Sequence, residues 1–94
     1  MIIAGREILR EYTKKHAQAR TPIDSWVKRV EQCTCKTFAE VKRVFPTADY
    51  IKDTLIVFNV GGNNFRVLAL VKYHANLLIV KWVGTHAEYD KLNL

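Results

Sequence analysis

Two short stretches of this chain carry residues able to do acid–base and anion chemistry. One is VFNVGGNNFR at positions 57–66, where a glycine pair and two asparagines lead into Arg66. The other is THAEYD at positions 85–90, with His86 three residues before Tyr89 and four before Asp90. On a helical turn those spacings place the three side chains on one face. Arginine presents a planar fork of donors suited to phosphate. Histidine takes or gives a proton near neutral pH, and tyrosine can orient a group or stack on a base. Each also has an ordinary reading: Arg66 as an edge charge that keeps a sheet soluble, His86 as a solvated residue, Tyr89 as packing. Lys52 and Lys81 fall on predicted strands, where they either extend a positive face or are simply solvated.

Other reactive residues are less organised. His16 and His74 fall in a helix and a turn, away from His86, so the three histidines lack ligand-like spacing. Cys33 and Cys35 form a CxC whose i, i+2 disulfide would be strained. Reduced thiols near a helix end fit them best, with metal binding second, since a zinc site needs about four ligands. No Ser/His/Asp arrangement is visible. The glycine pair joins one strand to another, which is not the strand–loop–helix setting of a nucleotide-binding loop.

The elements that must position these residues belong to one domain, 1–94. Hydrophobic residues make up 49% and charged residues 26%, which excludes a disordered chain. No apolar run reaches the roughly 18 residues of a membrane span, and MIIAGREILR is no secretory leader, so a cytoplasmic address is expected. Fifteen Lys and Arg against nine Asp and Glu give +6, a balance that either draws a small domain to nucleic acid or merely keeps it soluble.

Ile2 and Ile3 are β-formers able to pair as a short strand before Gly5. REILREYTKKHAQA follows as an amphipathic helix carrying Ile8, Leu9 and Tyr12. In TPIDSWVKRVEQC, Thr21 reads as an N-cap and Pro22 as the first helical residue of a second helix. TFAEVKRVFP reads as a third, short helix with a Thr37–Glu40 capping box, ended by Pro46. From Tyr50 the period changes from 3.6 to 2, and YIKDT, LIVFNV, NFRVLALVKY and LLIVKWVG read as strands. Thr85 and Glu88 form another capping box for one last helical turn. The result is an α+β arrangement, two or three N-terminal helices on one face of a twisted, mainly antiparallel sheet. Trp82 is either core or an exposed stacking platform.

A two-residue turn at Gly61-Gly62 sets Val60 opposite Asn63, Asn59 opposite Asn64 and Val57 opposite Arg66. One face then carries Ile56, Phe58, Phe65, Val67, Ala69 and Val71, and must bury against the helices. Arg66 stands on the other, open face with Asn59 and Asn64. Any even-length loop preserves this division, because side chains alternate with period 2.

FNVGGNNFRVLALV, LLIVKWV and GTHAEYDK together resemble the HigB family of bacterial toxins, within the RelE-like toxin superfamily of toxin–antitoxin modules. AEVKRVFPTADYIKDTLIVFNV resembles that family's approach to the sheet, so clear motifs cover roughly residues 36–91. The resemblance implies the RelE-like fold and ribosome-dependent endonucleolytic cleavage of mRNA. The 2′-hydroxyl would attack the adjacent phosphate, with no metal or cofactor. Carried over by motif, Arg66 stabilises the phosphate, His86 is acid or base, and Tyr89 positions or stacks the substrate. Lys52, Asn64 and Lys81 would contact RNA, and Asp90 would orient the histidine. The implied partner is a helix-turn-helix, HigA-like antitoxin through which any DNA contact would be made. Rival readings are a non-catalytic RNA- or ribosome-binding module on the same fold and a ribosome-independent endoribonuclease.

Overall fold

The computed structural model describes all residues 1–94. Its elements run β1 (Ile2–Ala4), α1 (Arg6–Lys15), α2 (Arg20–Gln32), α3 (Phe38–Val44), β2 (Asp49–Lys52), β3 (Leu55–Val60), β4 (Phe65–Lys72), β5 (Leu77–Thr85) and α4 (His86–Asp90). Five strands form one sheet in the order β1-β5-β4-β3-β2. β1 is parallel to β5, and every other pairing is antiparallel. The expected α+β layering is present, with α1–α3 on one side and the short α4 following β5.

The core lies where the alternation put it. Ile56, Phe58, Val67, Ala69 and Val71 from the central strands meet Leu9, Ile23, Trp26, Val30 and Val41 from the helices. Phe58 is fully buried and takes the edges of two rings, Trp26 at 5.3 Å and Phe45 at 5.1 Å between centroids. Offset aromatic contacts of this kind stabilise beyond the area they bury.

Local starts and stops differ in places from the sequence reading. α1 ends at Lys15, and a 3-10 turn, Ala17–Ala19, leads straight into α2. Thr21 is therefore not the N-cap: α2 begins at Arg20 with Ala19 in the cap position and no side-chain cap. Fully buried Ala19 fixes that join from the core side. Pro22 still sits in the first turn, where its missing N–H leaves no helical bond unmade. Both predicted capping boxes are formed, Thr37 with Glu40 and Thr85 with Glu88.

The β3–β4 hairpin has four loop residues, 61–64, so Val60 pairs with Phe65 and Asn59 with Arg66. The two-residue register is thus corrected by two positions. Packing explains the choice: Val60 and Phe65 are both buried, which leaves Asn63 and Asn64 to solvent. Gly61 and Gly62 have φ of 64° and 67°, a left-handed backbone that glycine adopts without strain. Since the shift is even, both faces keep their residues.

Candidate active site

Arg66 lies on β4 between Asn59 of β3 and Gly84 of β5. Directly after β5, the Thr85–Glu88 box turns the chain into α4. The Glu88 N–H donates to Thr85 Oγ1 at 3.1 Å, and the Thr85 N–H donates to Glu88 Oε1 at 2.7 Å. The His86 N–H donates to the Asn64 carbonyl at 3.3 Å, which ties the start of α4 to the hairpin loop.

These constraints bring Arg66 and His86 together, with Nη2 2.8 Å from Nε2. Guanidinium has no acceptor, so Nε2 must offer its lone pair to arginine. The ring proton is then on Nδ1, which faces Asp90 Oδ2 at 3.2 Å one helical turn on. Tyr89 lies beneath the guanidinium, 4.7 Å from Arg66 Cζ to the ring centroid, a cation–π contact that holds the fork flat. Arg66 Nε is buried without a partner. The result is a half-buried cluster holding a phosphate-sized donor array, a proton acceptor and a carboxylate behind it.

The remaining sequence candidates separate. Asn64 belongs to the loop rather than a strand; its carbonyl holds His86 while its side chain is exposed. Lys52 is exposed at the end of β2, and its pairing with Leu55 sets it four residues along β3 from Asn59. That is about 13 Å along the strand, so Lys52 stands apart from Arg66. Lys81 is the extra residue of a β-bulge, since Leu68 pairs with Trp82 but Ala69 pairs with Val80. The bulge resets the alternation of β5: Val83 joins Leu78 and Val80 in the core, and Trp82 moves to the face of Arg66. Its ring lies 6.0 Å from that of Tyr89.

Two residues escaped the sequence reading. A Cβ at Gly84 would come within 2.5 Å of the Trp82 ring and 3.0 Å of Glu88 Oε1, so only glycine leaves room beside Arg66. A glycine inside a strand pattern was the available signal, because it often marks such a close approach. Tyr12 of α1 donates to Glu88 Oε1 at 3.3 Å and so joins α1 to the cap of α4. Burial and the Glu88 charge push its hydroxyl pKa up, while the Thr85 N–H holds the Glu88 carboxyl below its ordinary value. Nothing in its spacing distinguished Tyr12 from packing.

Cys33 and Cys35 are buried free thiols, and burial followed by the Cys33 hydrogen bond pushes Cys35 up to about 12. A thiol so rarely ionised is a poor nucleophile. No three His, Cys, Asp or Glu side chains group as metal ligands.

The family described as HigB_toxin, RelE-like toxic component of a toxin-antitoxin system, matches residues 19–92. This chain belongs to the HigB toxin family. Relatives agree over nearly its full length. The mRNA interferase toxin HigB of Escherichia coli K12 is 33% identical over 92 residues, covering 96% of this chain and 88% of the relative. The mRNA interferase HigB of Escherichia coli O6:H1 is 31% identical over 94 residues, covering 98% and 91%. The family match begins earlier than the motif resemblance did and takes in α2, while α1, with Tyr12, precedes it. All four members of the cluster, Arg66, His86, Tyr89 and Asp90, fall inside it. No helix is long and apolar enough to cross a membrane.

Proposed function

We propose that this HigB-family chain is an mRNA interferase that cuts messages on the ribosome by 2′-hydroxyl attack on the adjacent phosphate. The observation that carries the reading is the 2.8 Å contact between Arg66 and His86, with Tyr89 under the arginine and Asp90 behind the histidine. In the absence of substrate, arginine occupies the lone pair of His86 Nε2. A phosphate entering the site competes for the fork and draws Arg66 onto its oxygens. Nε2 is thereby freed to take the proton of the 2′-hydroxyl as the oxygen attacks phosphorus. Asp90, accepting from Nδ1–H, stabilises the imidazolium that forms. Arg66 offsets the charge that gathers on the pentacoordinate phosphorus. The bond to the 5′-oxygen breaks, that oxygen takes a proton from water, and the His86 imidazolium returns its proton to solvent, which leaves a cyclic 2′,3′-phosphate and a free 5′-hydroxyl.

The toxin would be neutralised by a helix-turn-helix antitoxin in the cytoplasm, with DNA contacts made by the antitoxin. Asn64, Lys52 and Lys81 would contact RNA outside the cut step, Lys52 the most distant. Translation with purified ribosomes tests the reading. Arg66→Ala and His86→Gln should each lower cleavage by about 10²–10⁴-fold while circular dichroism shows a folded protein. Normal cutting by both variants would overturn the assignment. Omitting ribosomes should abolish cleavage by the unaltered chain.

A further inference from the structure

β1 pairs with β5 only as far as Ile79, so the rest of that edge of β5 has no strand beside it. Helix α1 packs along it instead. A cleft of about 310 Å³ lies between them, lined by Ile8, Glu11, Tyr12 and Lys15 from α1 and by Lys81 and Trp82 from β5. Positions 8, 11, 12 and 15 form one helical face, so Tyr12 and Lys15 stand in line along it. Across the cleft, the bulge at Lys81 turns Trp82 away from the core and leaves Lys81 exposed.

We propose that this cleft is a subsite for an RNA nucleotide flanking the cut step, with its base against Trp82 and its phosphate between Lys15 and Lys81. The proposal rests on the nuclease reading above and extends it to Lys15 and Trp82. Three observations support it. Arg66, Tyr89 and Trp82 form a continuous run, 4.7 Å from Cζ to the first ring and 6.0 Å between the rings. Single strands are held by such successive aromatic platforms beside basic side chains. Neither Lys15 nor Lys81 is ion-paired, whereas the one carboxylate of the cleft, Glu11, is turned to Lys14 at 3.5 Å. The volume also lies at the lower end of the range for small-ligand sites, about 300–1,000 Å³.

Intrinsic fluorescence can read the site, because Trp26 is buried in the core and Trp82 is not. The probe is a 2′-fluoro hexanucleotide, which lacks the attacking hydroxyl. It should quench the unaltered chain but not Trp82→Phe, which keeps a stacking ring and binds. Trp82→Ala should weaken binding on the order of tenfold. Lys15→Ala and Lys81→Ala should each reduce the log–log salt slope by about 0.7, and Lys15→Arg should keep it. A purely structural role for either lysine would leave the slope unchanged. Unchanged slopes and unquenched fluorescence overturn the subsite, and if ribosomal messages are still cut, the nuclease reading stands without it. If the unaltered chain neither binds the probe nor cuts messages, both fall.

Discussion

His86 is held at both ring nitrogens, and the two partners do different work. Arg66 takes the lone pair that the proposed mechanism assigns to proton transfer, while Asp90 fixes the tautomer that leaves that lone pair on Nε2. Asp90→Asn still offers an acceptor to Nδ1–H but not a charge to the imidazolium. The difference between a charged and a neutral hydrogen bond is about 1 kcal/mol at an exposed site. Cleavage by the variant should therefore fall about fivefold, short of the loss in His86→Gln, as single-turnover rates on programmed ribosomes would show. Gly84 acts through space rather than chemistry. Gly84→Ala drives a methyl into the Trp82 ring and should destabilise the fold by about 1–3 kcal/mol. Cleavage should suffer more than stability does, because the ring displaced is the one beside Tyr89. Thermal melts paired with cleavage rates would check the imbalance; equal losses would make Gly84 a packing residue only.

The five-residue α4 is too short to be stable alone, so its position depends on its ends. The capping box fixes its start, the Asn64 carbonyl holds its first N–H, and Tyr12 reaches Glu88 from α1. The sequence made the box legible, since Thr85 and Glu88 stand at capping-box spacing just after a strand pattern. It did not make the Tyr12 contact legible, because 76 residues separate the partners and only the fold brings them together. The bulge at Lys81 was hidden for a similar reason. Alternation in LLIVKWVG read straight through it, and only pairing with β4 shows one residue too many. The Glu88 carboxyl is held below its ordinary value, chiefly by the Thr85 N–H. Its contribution to stability is thus present above the unfolded glutamate value and lost as pH falls through the lowered folded one. Glu88→Gln should therefore melt lower than the unaltered chain at neutral pH, and the gap should close in the acid range. A gap that persists unchanged to the lowest pH would mean the carboxylate charge is not what holds the turn.

Across the whole molecule, α1–α3 cover one sheet face and leave the other, where Arg66 meets α4, uncovered by them. That one-sidedness was readable from period 2 alone, because the even hairpin slip moved partners without exchanging faces. Alternation itself puts Val57, Leu68 and Leu70 on the open face with Arg66, but it does not show how deeply two of them lie. Val57 and Leu68 are buried there, outside the main core, with Trp82 beside Leu68 across β4–β5. Burial on that side comes from neighbouring side chains in the sheet, a shading that a one-dimensional pattern cannot register. Adjacent positions of β4 therefore make opposite demands. Val71 is fully buried beneath the helices, and Leu70 is only half-buried on the open face. Val71→Asp puts an unpaired carboxylate into the core and should remove about 4 kcal/mol or more, a large part of the roughly 5–15 kcal/mol that holds a domain of this size. Leu70→Asp keeps its carboxylate within reach of water and should cost about 1 kcal/mol. Urea unfolding of the two variants separates these outcomes, and similar losses at both positions would mean that something other than solvent covers the face on which Arg66 stands.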